Sequence, residues 1–334
     1  MVVYGASGHT GSFVVDELCR RGIVPIAAGR NADRLDTYGY TRRGIAIAEA
    51  SIDDAASMRR AFTGAAVVVN SAGPFLDTAA AVLEVAIEVG AHYVDITAEQ
   101  TSVQATFAQF EHAALQAGVT VVPAMGFFGG LADLLATAAS EDLPVIDHID
   151  VAVFLDSWHP TAGTRRTGER NTMPRLIVTD GRLVPLGYPP PKRQWAFPAP
   201  VGDVDVTAVP LSEVPIIAHH LRPANLVAFL NDDSLRDLTD PDTPQPIAVD
   251  ALGRSTQRFV MDVRVTAGTL KRRAVASGRD IYAITAPLVA EATQRLLDGR
   301  SSAGVLAPGE LLPAAATLDV LARDYLDVQL TAGE

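Results

Sequence analysis

Cysteine is almost absent from this chain of 334 residues, which contains Cys19 alone. A single thiol cannot form an internal disulfide or a thiolate metal cluster, and this usage is typical of a reducing compartment. Cys19 lies in an apolar helical pattern, so we interpret it as a small core residue. The histidines are scattered without metal-ligand spacing, and we predict no metal site.

Basic residues are a minority: 27 Lys and Arg stand against 39 Asp and Glu, for a formal net charge of -12. A nucleic-acid-binding protein needs a basic face, so this balance argues against such a partner. No apolar run approaches the roughly 18 residues of a membrane span, and the first strand begins at Met1, without room for a signal peptide. We therefore expect a soluble, cytoplasmic protein with no membrane partner.

Two catalytic signatures are missing. The chain has no Gly-x-Ser-x-Gly elbow, which argues against a serine hydrolase of that type. Tyr188 and Lys192 form the only Tyr-x-x-x-Lys pair, but the three prolines between them prevent the helical turn that would align the two side chains. The sequence therefore argues against a typical short-chain dehydrogenase.

The strongest positive signal is the glycine-rich turn near the N-terminus. An apolar strand over residues 1–4 leads into Gly5, Gly8 and Gly11, and a helical pattern begins at Ser12. A strand, a glycine turn and a helix in this order form a cradle for a dinucleotide diphosphate. We predict that the cofactor is bound here by Gly5, Ser7, Gly8, His9, Thr10 and Gly11.

The end of the second strand indicates which dinucleotide is bound. An NAD site places Asp or Glu about 20 residues beyond the turn, but this chain has Arg30 and Asn31 there, with Arg34 one helical turn further. A guanidinium group suits a 2′-phosphate. We predict NADP(H), with Arg30 as the main contact and Asn31 and Arg34 beside it; the alternative is a solvated surface arginine.

Strands and helices alternate through the first part of the chain, which predicts βαβ units and a parallel sheet. We predict an α/β fold: a Rossmann-type, doubly wound domain over residues 1–130, and a second α+β domain over 131–281 with a mixed or antiparallel sheet. Hairpin signals at Asp180-Gly181 and near Gly268 support the second sheet. Residues 188–200 contain five prolines, and we interpret them as a long loop that could cover the site.

The ends of the fourth and fifth strands carry further candidates, because ligands of open α/β sheets lie at the carboxyl ends of strands. Asp95 interrupts an apolar strand, and a buried carboxylate is either paired or functional; capping the next helix and catalysis both remain open. The predicted cofactor-lining residues, for which a plain loop is the alternative, are Asn70, Ser71, Ala72, Gly73, Pro74 and Thr97.

Five motifs in order resemble the saccharopine dehydrogenase-like NADP-binding oxidoreductase family. They are VVYGASGHTG at 2–11, AAGRN at 27–31, NSAGPF at 70–75, HYVDITAE at 92–99 and VPAMGF at 122–127, with a weaker match at 303–310. The family includes saccharopine reductases, related amino-acid and imine dehydrogenases, and trans-acting enoyl reductases. The resemblance implies that residues 282–334 return to complete the Rossmann domain, and we expect a homodimer.

The sequence departs from the family where the substrate should lie. Ala98 replaces a usual glycine, and Phe127 and Phe128 with two glycines replace a run that is normally polar. This change favours a less polar substrate or a different binding mode. We predict that Phe127, Phe128, Arg165 and Arg166 bind substrate; the arginines, with Arg170, could meet a carboxylate or phosphate or form a solvated helix face.

The function that the resemblance and the motifs favour is an NADPH-dependent reductase. It would transfer hydride to a C=N or activated C=C bond of a small metabolite or biosynthetic intermediate. The alternatives are a saccharopine-like secondary-amine dehydrogenase acting on an amino-acid-derived substrate and an NADP-binding sensor or scaffold without turnover. The candidate catalytic residues, as proton donors, are Asp95, Tyr93, His159 and Tyr282.

Overall fold

The computed structural model describes residues 1–332 and contains two β-sheets. The first sheet is parallel throughout, with the strand order β15-β6-β5-β4-β1-β2-β3. Its strands are β1 (Val2–Tyr4), β2 (Ile26–Gly29), β3 (Ile47–Glu49), β4 (Val67–Asn70), β5 (His92–Asp95), β6 (Thr120–Val122) and β15 (Gly304–Val305).

Helices cover both faces of this sheet, as a parallel sheet requires. Val3 packs into the same core as the first helix, whereas its neighbours Val2 and Tyr4 pack against helices on the opposite face. Asp54 caps α3 by accepting the N–H groups of Ala56 and Ser57. The helices up to the domain junction are α1 (His9–Arg20), α2 (Ala32–Asp36), α3 (Ala55–Phe62), α4 (Phe75–Glu88), α5 (Gln100–Ala117) and α6 (Ala132–Ala139).

The second sheet is mixed: seven of its nine strands follow the path β10-β11-β12-β7-β13-β14-β16, and a β8–β9 hairpin lies beside β12. Only β12 and β7 pair in parallel on this path. Its strands are β7 (His148–Leu155), β8 (Leu176–Thr179), β9 (Arg182–Pro185), β10 (Lys192–Ala196), β11 (Asp203–Ala208), β12 (Asn225–Asn231), β13 (Arg258–Ala267), β14 (Leu270–Arg279) and β16 (Leu326–Ala332). A parallel Rossmann-type sheet beside a mixed sheet confirms the predicted fold class.

The remaining helices follow β7 in the chain. They are α7 (Ala162–Arg170), α8 (Glu213–His220), α9 (Asp232–Thr239), α10 (Thr285–Leu297), α11 (Pro308–Leu311) and α12 (Ala314–Asp324). Of these, α10 packs against α1.

The proline-rich segment is not the long loop that we expected. Residues 192–196 form strand β10, which pairs antiparallel with β11. All five prolines of the segment lie outside β10, so the N–H groups that the pairing needs are present. Trp195 donates an Nε1–H bond of 2.7 Å to Asp262 on β13, although three other strands lie between β10 and β13 along the sheet. The sheet therefore curls over its own small core, and β10 does not cover the site.

The C-terminal segment is shared between the two sheets, which corrects the expectation that all of residues 282–334 return to the Rossmann domain. α10 packs on α1, and β15 pairs with β6 in the first sheet. β16, however, pairs with β14 in the second sheet, since apolar and polar residues alternate along this strand. Residues 333 and 334 lie outside the described residues.

Candidate active site

A cleft of about 890 Å³ lies between the two sheets. One wall comes from the first domain: the glycine turn, the end of β2, and the loops after β4 and β5. The other wall comes from the aromatic pair Phe127 and Phe128, from α7 and its approach, and from the segment before α10. The predicted residues that line the cleft are Gly5, Ser7, Gly8, His9, Thr10, Arg30, Arg34, Ser71, Ala72, Gly73, Thr97, Phe127, Phe128, Arg165, Arg166 and Tyr282.

The glycine turn is closed so tightly that no side chain fits at Gly5 or Gly11. A Cβ atom on Gly11 would lie against the Gly5 carbonyl oxygen, far inside van der Waals distance, and Gly5 itself has φ +82° with Ala72 N only 2.7 Å from its Cβ position. Gly8 is the N-cap of helix α1, which has no side-chain cap and no acidic residue in its first turn. Its N–H groups are therefore open to an anion at the cleft.

The two arginines after β2 stand at the same end of the cleft. Arg30 and Arg34 are exposed, and neither pairs with a carboxylate within residues 1–332. The side chain of Asn31 accepts the Arg34 N–H at 2.8 Å and thereby caps α2. Asn31 thus positions Arg34, and with Arg30 it lines a smaller neighbouring pocket of about 270 Å³, so its expected contact with the cofactor stays a prediction.

His9 connects the glycine turn to the opposite wall. Its ring lies edge-on to Phe13 and Tyr282, with centroids 5.2 Å apart in each case. Burial lowers the pKa of His9, and the nearby Asp280 carboxylate acts in the opposite direction. The buried Nε2 atom has no hydrogen-bond partner among the described residues. The unpaired His9 nitrogen, the uncapped start of α1 and the tight turn at Gly5 and Gly11 together fit a bound dinucleotide.

Asp95 and Tyr93 lie beneath the cleft, which corrects the expectation that either donates a proton to substrate. Asp95 is fully buried and accepts the N–H groups of Thr97 at 3.0 Å and Ala124 at 2.8 Å and the Tyr93 hydroxyl at 3.0 Å. Burial raises the pKa of Asp95 to about 6, although these hydrogen bonds act to lower it. The carboxylate joins the end of β5 to the segment after β6, so its role is structural.

Three predicted cofactor residues also act from outside the cleft. Asn70 is fully buried; its side-chain oxygen accepts the Ala72 N–H at 3.0 Å, and its amide donates to Tyr93 at 3.2 Å. Gly11 packs behind Gly5, and Pro74 precedes α4. These residues shape the cleft wall without touching its interior.

Glu99 has a role that sequence reasoning missed. It is fully buried, and its two carboxylate oxygens accept the N–H groups of Phe75 at 2.7 Å and Leu76 at 2.9 Å. This carboxylate from the loop after β5 caps the start of α4, whose own N-cap is Pro74. Pro74 has no side-chain acceptor for the first N–H groups of α4. Its presence at the N-cap position was the sequence feature that could have indicated a capping residue from elsewhere in the chain.

Tyr282 is the one of the four expected proton donors whose side chain lines the cleft. Its hydroxyl accepts the Trp158 Nε1–H at 3.1 Å and lies 2.9 Å from the Thr164 hydroxyl. The Thr161 N–H also points to it, at 3.4 Å. Burial raises the pKa of Tyr282, with these hydrogen bonds acting in the opposite direction. His159 contributes only its backbone carbonyl, 3.4 Å from the Tyr282 hydroxyl, so the expected role of its imidazole is not supported.

Aromatic side chains line the substrate side of the cleft. Phe127 and Phe128 meet edge-on with centroids 5.0 Å apart, and Phe128 lies 5.9 Å from Trp158. Both phenylalanines belong to a π-helical turn, Phe127–Leu131. Gly129 is required in this turn because a Cβ atom there would collide with the Ala124 carbonyl. The two glycines that depart from the family pattern are therefore part of the packing that presents the aromatic pair.

The predicted arginines on α7 divide into three roles. Arg165 donates to the backbone carbonyls of Asp240 at 3.2 Å and Thr243 at 2.7 Å. These bonds connect α7 to the segment after α9. Arg166 lines the cleft and has no ion-pair partner in the described part of the chain. Arg170 lies outside the cleft, where it pairs with Asp77 at 2.9 Å.

A further arginine, Arg175, lines the cleft and was missed because it precedes a strand without a recognisable motif. Its Nη1 donates to the Pro210 carbonyl at 3.0 Å, and burial lowers its pKa while nearby Glu213 acts to raise it. Burial raises the pKa of Glu213 to about 7. The cleft lining thus holds five arginines and one carboxylate, Glu169, in a chain of net charge -12.

A Rossmann sheet with a glycine cradle, facing a second sheet across a cleft, defines a dinucleotide-binding protein. Residues 1–122 match the model of the saccharopine dehydrogenase NADP binding domain. This N-terminal part of the chain is therefore a saccharopine dehydrogenase-type NADP-binding domain. This confirms the resemblance read from the motifs and NADP(H) as the cofactor.

Curated relatives match part of the chain, and one solved structure shares its fold. A lipid droplet localized protein of Caenorhabditis elegans is 33% identical over 146 residues, covering 40% of this chain and 34% of that protein. A probable mitochondrial saccharopine dehydrogenase-like oxidoreductase of Arabidopsis thaliana is 31% identical over 142 residues, covering 38% and 31%. The chain spans about a third of the length of these curated relatives. Apo saccharopine dehydrogenase (L-Glu forming) from Saccharomyces cerevisiae has a TM-score of 0.68 at 14% identity over 99% of both chains, a likeness of fold.

The expected cytoplasmic localisation is wrong by the same comparison. The two relatives are described as lipid droplet localized and as mitochondrial. The expectation rested on the balance of charge and on the short apolar runs. Neither property indicates whether a protein is located in mitochondria or on lipid droplets. Within residues 1–332, no helix is both long enough and apolar enough to cross a membrane.

Proposed function

We propose that the chain is an NADPH-dependent reductase that transfers hydride to a C=N or activated C=C bond of a small metabolite or biosynthetic intermediate. The observation that carries the proposal is a cleft with a glycine turn and two arginines on one wall and aromatic side chains, Tyr282 among them, on the opposite wall. A site of this kind can bind both reactants and hold water away from the reacting bond.

The first-domain wall binds the cofactor in this proposal. The N–H groups at the start of α1 bind the diphosphate, and Arg30 and Arg34 bind the 2′-phosphate. NADPH supplies the hydride when it is bound. Phe127 and Phe128 hold an apolar surface beside the substrate, which limits the access of water to the reacting bond.

Tyr282 supplies the proton in this proposal. Reduction of a double bond adds hydride to one atom and a proton to the other. That Tyr282 lines the cleft supports its hydroxyl as the source of this proton. The phenolate that remains is stabilised by the Trp158 Nε1–H and by the Thr161 N–H. Because burial raises the pKa of Tyr282, the hydroxyl is protonated at neutral pH.

The cationic part of the second wall favours a substrate with an anionic group. Arg166 has no ion-pair partner among the described residues, and Arg175 has only a backbone carbonyl as acceptor. Guanidinium groups in this state bind a carboxylate or a phosphate. The same feature supports a second candidate, a saccharopine-like secondary-amine dehydrogenase, whose amino-acid-derived substrate carries carboxylates.

Turnover assays with purified protein test the two candidates. NADPH absorbance is followed with cyclic imines, with imines formed from 2-oxo acids and amines, and with enoyl thioesters; NADP⁺ reduction is followed with saccharopine-like secondary amines. The proposal predicts NADPH oxidation with an anionic imine or enoyl substrate. Reaction in the oxidative direction alone would favour the amine dehydrogenase, and NADPH binding without turnover on any substrate would contradict both.

A further inference from the structure

Two tyrosines from the segment after α2 hold the glycine turn in place. Tyr40 donates its hydroxyl to the Ala6 carbonyl at 2.7 Å, and Tyr38 donates to the Ser7 carbonyl at 3.0 Å. Their rings stack, with centroids 5.6 Å apart and planes 17° apart. Two adjacent carbonyls of the turn are thus fixed by a pair of side chains more than 30 residues away in sequence.

Fixing these carbonyls also fixes the N–H groups that follow them. In a trans peptide the C=O and N–H bonds point in opposite directions. In the peptide between Ser7 and Gly8, the carbonyl accepts from Tyr38 and the N–H points the other way. This Gly8 N–H donates to the Gly5 carbonyl at 2.8 Å. The Ala6 carbonyl, held by Tyr40, turns the Ser7 N–H away from the tyrosines. That N–H has no acceptor in the described part of the chain, and Ser7 lines the cleft.

We propose that Tyr38 and Tyr40 are positioning residues for the cofactor diphosphate. They keep the Ala6 and Ser7 carbonyls turned out of the anion's path, so that the N–H groups of the turn are already oriented when the dinucleotide arrives. Donors that are preorganised in this way need no ordering on binding. The proposal concerns cofactor binding alone, so it stands or falls independently of the reaction proposed above.

The two tyrosines differ in how cleanly each can be tested. Tyr38 is 38% exposed and lines the cleft beside Arg34. Its replacement by Phe keeps the ring and the stack and removes only the hydroxyl. Tyr40 is 1% exposed, so Tyr40→Phe leaves the Ala6 carbonyl without its partner in the interior and lowers stability as well.

The experiment measures dissociation constants for NADPH and NADH by nicotinamide fluorescence, together with the melting temperature of each variant. Tyr38→Phe is expected to weaken both dinucleotides by the same factor, about 2- to 10-fold, the equivalent of one neutral hydrogen bond. The factors are equal because both cofactors carry the diphosphate. Tyr188→Phe is the matched control, since Tyr188 is 96% exposed and lies outside the cleft; it is expected to change neither constant.

Two results would overturn the proposal. If Tyr38→Phe weakened NADPH and left NADH unchanged, its hydroxyl would serve the 2′-phosphate instead of the turn. If Tyr38→Phe and Tyr40→Phe lowered the melting temperature but left both dissociation constants unchanged, the tyrosines would be structural ties only. Measured below its melting temperature, Tyr40→Phe is expected to weaken both dinucleotides equally, as Tyr38→Phe does.

Discussion

The two walls of the cleft are built in different ways. The first-domain wall presents mostly backbone: a glycine turn, a helix end and strand termini, fixed by peptide geometry and by buried carboxylates such as Asp95 and Glu99. The opposite wall presents side chains from separate segments, among them Phe128, Arg166 and Tyr282. A wall of backbone binds one group that all NADP-dependent proteins share, whereas a wall of side chains can change with the substrate.

The largest effect is expected from breaking the backbone wall at Gly11. Gly11→Ala drives a Cβ atom into the Gly5 carbonyl, so the turn must open and NADPH affinity should fall by about 100-fold or more. Nicotinamide fluorescence measures the affinity. Gly187→Ala is the control, because no atom lies within 4 Å of its Cβ position. NADPH binding by Gly11→Ala near the wild-type affinity would show that the turn is not the cradle.

A smaller effect, confined to one cofactor, is expected at the 2′-phosphate end. Arg30→Ala removes charge-assisted hydrogen bonds and should weaken NADPH by about 10- to 100-fold. NADH lacks the 2′-phosphate, so its dissociation constant in the same variant should stay unchanged and serves as the internal control. Equal weakening of both cofactors would mean that Arg30 contacts a group that they share.

On the side-chain wall, loss of Arg166 should act on substrate binding alone. Arg166→Ala is expected to raise KM for an anionic substrate several-fold, on the order of one charge-assisted hydrogen bond, with kcat little changed. Arg170→Ala is the matched control from the same helix, because Arg170 pairs with Asp77 outside the cleft. Equal effects of the two variants would count against an anion site at Arg166.

The smallest effect concerns stability behind the second wall. Burial raises the pKa of Glu213 from 4.5 to about 7, so the folded state binds more protons than the unfolded chain between these pH values. The free energy of unfolding therefore falls as pH rises through this window. Glu213→Gln removes the titration, and its melting temperature relative to wild type should be higher by a few degrees at pH 8 than at pH 5. The same difference at both pH values would contradict the raised pKa.

The contrast between the walls also explains what could be read from the sequence. The glycine turn and Arg30 are local patterns, and the structure brings them to one end of the cleft. The role of Asp95 was ambiguous in the sequence, because a carboxylate in an apolar strand can be either paired or catalytic. Only the folded structure shows that the N–H groups of Thr97 and Ala124 donate to it. Arg175 belongs to no motif, and only the curl and packing of the second sheet place it in the cleft.

The measurement that tests the central claim most directly compares wild type and Tyr282→Phe on one reducible substrate. The account predicts that kcat falls by about 100-fold, the scale of a lost general acid, while the dissociation constant of NADPH stays within about twofold, since removal of this hydroxyl leaves the first-domain wall intact. An unchanged kcat in Tyr282→Phe would show that the proton comes from elsewhere and would contradict the assignment of the second wall.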